Sequence, residues 1–229
     1  MTVVAIHQPQ YLPWVPYLDK ADQADVFVYL DNVRYDPRGV QNRNQIKTPQ
    51  GAMWLTVPVA GGRDQLIGDL VIAEAGWQPK HVRSIALNYA KAPHVAQFGD
   101  GLRPILQRSW TRLAELNIAV TEWMFEMMGI RCKRFRASEL SVAGEKEDRI
   151  ISICKAVGGT AYLSGAGAAA YQSEESFRAN GLELRYQQYA AGEYSQCWPK
   201  AGFVPGLSAL DLILNAGADA RKIMLEGRQ

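Results

Sequence analysis

The sequence alternates between short apolar runs and longer amphipathic segments. Residues 3–6 and 26–30 are apolar on both faces, which is typical of internal strands in a parallel sheet. Further strands are predicted at 134–137, 160–163 and 182–189. Because strand and helix patterns follow one another, the sequence predicts an α/β fold with a mostly parallel sheet and flanking helices in Rossmann-like layers.

Helical periodicity alternates with these strands. It is found at 16–24, from 77 to about 89, at 102–128, at 146–157 and at 208–217. We predict a break near Leu116 and Asn117, a C-cap at Gly129, and a last helix that begins at the capping residue Ser208.

An insertion is predicted after the second strand. Two extended runs, 41–47 and 53–59, flank a Pro/Gly turn at 49–51 and indicate an inserted β-hairpin. A short strand at 70–72 and the helical segment that begins at Trp77 complete the insertion. Pro79 lies near the first position of that segment, where a missing N–H costs nothing.

Length and composition are those of an ordinary globular protein. The 229 residues predict a single domain over 1–229, with 48% hydrophobic and 21% charged residues. A net charge of +2 gives no general attraction to nucleic acid or anionic membranes. Three widely spaced cysteines form neither a disulfide framework nor a metal pattern. Without a signal-like start or a long apolar run, we expect a cytoplasmic protein with no membrane partner.

The segment after the first strand carries the most unusual side chains. His7, Gln8, Gln10, Tyr11 and Trp14 follow it directly, and two prolines stiffen the loop. In open α/β sheets, ligands bind at the carboxyl ends of strands. The functional interpretation makes His7 a general base with a pKa near neutrality, whereas the structural one has its ring satisfied by backbone groups.

Three further groups of polar residues are candidates for binding a substrate. Asp31 follows the second strand. The first hairpin arm contains Asn42, Arg43, Asn44 and Lys47, which would bind an anion or form a solvated arm. Lys80 and His81 begin a helix, where a basic pair opposes the dipole, so an anionic ligand or simple exposure would explain them.

The last candidate is the glycine-containing segment after the strand predicted at 160–163. Ser164, Gly165 and Gly167 form either a small anion cradle or a tight turn. A dinucleotide site is disfavoured, because Arg185 stands where the fingerprint requires an acidic residue. The three histidines lack metal-ligand spacing, so no metal site is predicted.

Several of these segments together resemble one known family. The chain is similar to the WbqC-like protein family in His7-Gln8-Pro9-x-Tyr11-Leu12-Pro13-Trp14, Asp31-x-Val33, Gln41-Asn42-Arg43-Asn44-x-Ile46-Lys47, Leu55-x-Val57-Pro58-Val59, Lys80-His81, Tyr162-Leu163-Ser164-Gly165-x-Gly167 and Leu207-Ser208-x-Leu210-Asp211. The resemblance runs over nearly the whole chain. It implies a bacterial protein of surface-polysaccharide (O-antigen) or natural-product biosynthesis. Members are similar in context to enzymes that attach amino-acid or acyl groups to amino sugars or other small amines.

The leading hypothesis is therefore a cytoplasmic transferase that moves an acyl or aminoacyl group to a small amine. In it, His7 is the base, Arg43, Lys80 and the segment 164–167 hold an anionic part of the substrate, and Trp14 stacks on a ring. The sequence identifies no cofactor with certainty and leaves a nucleotide or an acyl or aminoacyl donor open. A carrier protein or aminoacyl-tRNA could present that donor, and the sequence leaves a homo-oligomer open. The alternatives are an ATP-dependent adenylyl or nucleotidyl transferase and a non-catalytic binding module of a biosynthetic cluster.

Overall fold

The computed structural model describes residues 1–73 and 76–229. Within this part of the chain, nine strands are found: β1 Val3–His7, β2 Val26–Tyr29, β3 Arg43–Thr48, β4 Gly51–Thr56, β5 Val59–Ala60, β6 Val71–Ile72, β7 Lys133–Arg136, β8 Ala161–Gly165 and β9 Glu183–Gln187. The α-helices are α1 Val15–Asp22, α2 Trp77–Asn88, α3 Arg103–Gln107, α4 Leu113–Met127, α5 Lys146–Ala156, α6 Glu174–Ala179, α7 Ala209–Ala216 and α8 Ala220–Glu226. A π-helical turn, Phe98–Leu102, precedes α3.

The central sheet has five parallel strands in the order β7-β2-β1-β8-β9 among the described residues. The chain starts at the central strand, builds two strands to one side, and then returns to build two on the other. The strands β3–β4 and β5–β6 form separate antiparallel hairpins. The predicted α/β fold with an inserted hairpin is confirmed.

Helices cover both faces of the sheet because its internal strands are apolar on both faces. On one face Ala5 and Phe27 pack against α1, α4 and α7. On the other, Val4 and Val28 pack against α5 and α6. Each methylene group buried between the sheet and a helix stabilises the fold by about 0.8 kcal/mol, and this burial on both faces holds the layers together. The described helices include none with the length and apolar character needed to cross a membrane.

The predicted position of one helix break is wrong. Helix α4 runs through Leu116 and Asn117 without interruption, and the break lies between α3 and α4. There the chain is extended, because the Ile72 N–H donates to Thr111 O and the Leu113 N–H donates to Leu70 O. Asn117 is tolerated inside the helix because its amide donates hydrogen bonds to neighbouring backbone carbonyls instead of breaking its own turn.

The helix caps were predicted correctly, but the last helix was not. Gly129, which follows the C-cap residue Met128 of α4, has φ +63°, and the Ser208 side chain accepts a hydrogen bond from the Leu210 N–H. However, α7 is not the last helix, because α8 follows it and packs against α1 and α7. The short helix α6 was also missed. Helices of six or seven residues give little periodicity, and their packing stabilises them more than their sequence does.

Candidate functional site

The strand order creates a switch point between β1 and β8. Connections leave the central strand in opposite directions at this place, and open α/β sheets bind ligands in the crevice outside such a point. The pairing of β1 with β8 ends at Ala5 and Leu163, although the two strands continue to His7 and Gly165. We call the space between these unpaired carboxyl ends the β1–β8 crevice.

The backbone beside the crevice explains why a side chain enters it. Thr2 O accepts hydrogen bonds from Thr160 and Ala161, so alternate carbonyls of β1, including that of Ile6, face β8. Beyond the last pair, no strand amide is opposite Ile6 O. Lys20 Nζ occupies this position and donates to Ile6 O at 2.9 Å.

Lys20 is a buried cation at the switch point. Its side chain is only 4% exposed, and its Nζ lies 5.9 Å from the centre of the Tyr162 ring. Among residues 1–73 and 76–229, no carboxylate forms an ion pair with it. Burial lowers the pKa of Lys20 to about 8. The ammonium is therefore the main form at neutral pH, and its positive charge is not compensated there.

His7 lies at the end of β1, close to this charge. Its ring packs against Tyr17 with centroids 4.6 Å apart, and Nδ1 lies 3.2 Å from Gln8 O. Burial, and then the positive charge of Lys20, lowers the pKa of His7 to about 3. The expectation of a pKa near neutrality is wrong, because the imidazole is neutral at pH 7. In the tautomer in which Nδ1 carries the proton and donates a hydrogen bond to Gln8 O, Nε2 is free to accept a hydrogen bond or a proton.

The glycine-containing segment borders the other side of the crevice. Ser164 follows the last residue paired with β1 and is 1% exposed. Its Oγ forms no well-formed hydrogen bond among the described residues, but it lies near the Tyr162 hydroxyl and limits the rise in the Tyr162 pKa that burial causes. A methyl group added at Gly165 or Gly167 would meet no described atom within 4 Å. Gly165 has φ −73°, which any residue can adopt. These glycines are thus not required by the backbone, and they leave space beside the strand end.

Most of the predicted polar loop residues hold the loop in place. The Tyr11 hydroxyl lies 2.8 Å from His81 Nδ1, and burial lowers the pKa of that imidazole to about 4. The amides of Asn42 and Asn44 donate to Val57 O and Leu12 O, at 3.0 and 2.7 Å. These groups connect the opening loop to the hairpin and to α2, away from the crevice.

Of the two predicted glutamines, Gln8 stays near the crevice and Gln10 does not. The Gln41 amide donates to Gln8 Oε1, which fixes the side chain that follows His7. Gln10 is buried, and its Oε1 has no partner among the described residues. Gln8 therefore lies next to the candidate base, while Gln10 faces the interior.

The structure does not bring the remaining predicted residues to the crevice. Asp31 accepts from the backbone and hydroxyl of Ser138 and joins the ends of β2 and β7. Arg43 donates to Arg38 O and Gly39 O and stacks on Trp54 at 4.9 Å. The other three are Lys47, which donates to Gln196 and Gly202, Lys80, which is exposed on α2, and Trp14, which is 43% exposed.

Sequence reasoning missed Lys20. The signal was present, because Lys20 lies three residues after the apolar Tyr17 and directly before Ala21, within the helical pattern at 16–24. A lysine within the buried stripe of a helix, next to the first strand, indicates a charge held inside the fold. Periodicity alone cannot show that its ammonium reaches the gap between two strands.

Two surface cavities lie elsewhere. One of about 1410 Å³ is at the amino ends of β2 and β7, between Asp25, Trp123 and Lys133. The other, of about 560 Å³, is formed by residues 197–201 with Pro49 and Lys91. Neither is lined by a predicted site residue. We place the site by strand topology and buried charge, because neither cavity contains a cluster of chemically perturbed groups. In the described part of the chain, no three His, Cys, Asp or Glu side chains form a metal-binding group.

The strand order, together with the buried groups at the β1–β8 crevice, defines a doubly wound α/β protein with a candidate small-molecule site at its switch point. The sequence profile of the WbqC-like protein family matches residues 8–223. The chain belongs to the WbqC-like family. It is 34% identical over 233 residues to "Uncharacterized protein Rv1507c" of Mycobacterium tuberculosis, with 100% of both chains covered. No solved structure matched the chain significantly.

Proposed function

We propose that this protein is an enzyme that transfers an acyl or aminoacyl group to the amine of a small molecule such as an amino sugar. The observation that carries the proposal is the neutral imidazole of His7 at the carboxyl end of the central strand, beside the switch point. Ligands of this fold class bind at that place. The resemblance of the opening motif to proteins of surface-polysaccharide and natural-product biosynthesis favours an amine acceptor.

The reaction needs a group that accepts the proton of the attacking amine. The amine nitrogen attacks the carbonyl carbon of the donor, the new C–N bond forms, and the bond to the leaving group breaks. His7 Nε2 takes the proton from nitrogen and passes it to the leaving group, which leaves the enzyme unchanged. Gln8, fixed by Gln41, lies next to this imidazole and positions the acceptor.

An anionic substrate would make His7 a stronger base. The positive charge of Lys20 contributes to the low pKa of His7. A negative group placed beside Lys20 would offset that charge and raise the pKa of the imidazole towards neutrality. Burial, the larger cause of the low pKa, would remain, so the bound anion strengthens the base by the share that Lys20 contributes.

The test is a mass-spectrometric assay for a new amide. Purified protein is incubated with nucleotide-linked amino sugars or other small amines and with acyl-coenzyme A, carrier-protein thioester or aminoacyl-tRNA donors. Loss of a general base lowers turnover by about a hundredfold or more, so we expect that loss in His7→Gln. His94→Gln is the matched control because His94 packs near Gly217, outside the crevice. Turnover by His7→Gln equal to that of wild type would refute the base assignment.

A second candidate is ATP-dependent adenylyl transfer. It is favoured by the position of His7 directly at the end of the first strand, where such enzymes place histidines against a triphosphate. The chain lacks their paired-histidine motif. Release of pyrophosphate from ATP in the presence of an acceptor would establish this reaction instead, whereas amide formation without ATP would exclude it.

A further inference from the structure

Lys20 has hydrogen-bonding capacity that the described residues do not use. An ammonium has three N–H donors, and the only bond found for Lys20 Nζ goes to Ile6 O. A buried charge normally has a partner of opposite sign, because removing it from water is costly. Lys20 is held in the β1–β8 crevice at this cost, with no acidic partner among the described residues.

Ser164 provides a second donor at the same crevice. It directly follows Leu163, the last residue of β8 paired with β1, and Ile6, whose carbonyl binds Lys20, directly follows the partner of Leu163 on β1. The Ser164 hydroxyl is buried and forms no well-formed hydrogen bond within the described chain, but it lies near the Tyr162 hydroxyl and limits the rise in the Tyr162 pKa that burial causes. Helix α1, through Lys20, and strand β8, through Ser164, thus each bring one donor to the crevice.

The donors and the space at the strand end together indicate the kind of ligand that fits there. Gly165 and Gly167 leave room where side chains would otherwise stand. The neighbouring titratable group, His7, is neutral and adds no negative charge. A single ammonium and a hydroxyl beside exposed backbone are suited to one compact anion, not to an extended polyphosphate.

We propose that the β1–β8 crevice binds a phosphate or carboxylate group of the substrate, with Lys20 Nζ and Ser164 Oγ as its donors. The proposal rests on the proposed function only in taking this anion to be part of the substrate. It gives the substrate class: a small amine or donor that carries one compact anionic group.

The test is isothermal titration of the full chain with inorganic phosphate and, separately, with acetate. Saturable binding of one of them at neutral pH is expected. Lys20→Met should weaken it roughly tenfold or more, because a charge-assisted hydrogen bond is lost. Ser164→Ala should weaken it less, because a neutral hydroxyl donates a weaker hydrogen bond than an ammonium does. The preferred ion distinguishes a phosphate from a carboxylate substrate.

Controls separate specific binding from a general salt effect. Lys222→Met removes an exposed lysine on α8 and should bind like wild type. Because deprotonation removes the charge of Lys20, binding to wild type should weaken as the pH is raised through about 8, and binding to Lys20→Met should not. Equal affinities of wild type and Lys20→Met, or no saturable binding of either ion, would overturn the proposal.

The two proposals fail in different ways. Binding that depends on Lys20, without amide formation from any donor, would support the anion site and count against the transferase. Turnover that depends on His7 but not on Lys20 would do the reverse. Cooperative unfolding of Lys20→Met and His7→Gln checks that both variants are folded. Lys20→Met is expected to fold because it removes a buried unpaired charge.

Discussion

Burial changes the chemistry of individual residues at the carboxyl edge of the sheet. His7 and Lys20 are ordinary titratable groups in the sequence, yet burial lowers the pKa of both, to about 3 and about 8. Around neutral pH the histidine is therefore neutral and the lysine is the charged group. Burial keeps these charge states but moves the titration of His7 far below neutral pH and brings that of Lys20 close above it.

The low pKa of His7 predicts a loss of stability in acid. The unfolded chain binds a proton near the ordinary value of 6.5, whereas the folded chain binds it only near 3. Between these values the unfolded state holds more protons, so the free energy of unfolding falls as the pH falls. Relative to His7→Gln, wild type should lose on the order of 2 kcal/mol between neutral pH and about pH 4.5.

Urea denaturation of both proteins at the two pH values measures this difference. Proton-detected NMR of the imidazole at about pH 5 gives an independent check, because His7 should remain neutral there while a freely titrating histidine is protonated. A constant stability difference between wild type and His7→Gln across this range would contradict the prediction.

At the scale of elements, the inserted hairpin supports the segment that connects β9 to α7. Lys47 on β3 is 1% exposed and donates to Gln196 Oε1 at 2.8 Å and to Gly202 O. Gln196 in turn accepts from the Val204 N–H and donates to Val204 O. A lysine that looked like a substrate ligand in the sequence therefore connects two parts of the chain.

Lys47→Met should release this connecting segment. Removing the ammonium leaves two acceptors without their donor, which costs about 1 to 3 kcal/mol. Hydrogen–deuterium exchange should accelerate at the Val204 amide and its neighbours, with little change in the central sheet. Lys200→Met, an exposed lysine in the same segment, is the control. Unchanged exchange in Lys47→Met would show that the segment does not depend on β3.

At the scale of the whole molecule, the two ends of the chain are tied together beside the site. Arg228 forms ion pairs with Asp19 and Asp22 of α1, and Arg221 of α8 pairs with Asp22. Asp19 is completely buried and precedes Lys20. The carboxyl-terminal region thus helps to fix the helix that delivers Lys20 to the crevice.

Arg228→Met should therefore destabilise the fold. Asp19 would keep its bonds from Gln23 and Gln187 but lose its cationic partner. Leaving a buried carboxylate without that charge costs on the order of 3 kcal/mol, less where water still reaches the arginine. A fall in the midpoint of thermal unfolding measures the effect, with Lys222→Met as control. An equal midpoint would mean that water already screens the pair.

How much could be predicted from the sequence depended on the range of the interactions involved. Strands β1, β2, β7, β8 and β9, the hairpin and the caps at Gly129 and Ser208 follow from local patterns, since apolar periodicity and turn chemistry act over a few residues. The short helices α6 and α8 and the break before α4 did not, because packing and distant backbone pairing stabilise them. Of the predicted site residues, His7, Gln8 and Ser164–Gly167 lie around the crevice.

The sequence by itself determined the layered α/β fold, the polar ends of its strands and the resemblance to the WbqC-like family. Only the tertiary structure decided which polar residues are used inside the fold, such as Tyr11, Asn44 and Lys47, because their partners are distant along the chain. It also placed Lys20 in the gap where β1 and β8 part. Strand pairing and burial are long-range properties, and they determine where the charge at this switch point lies.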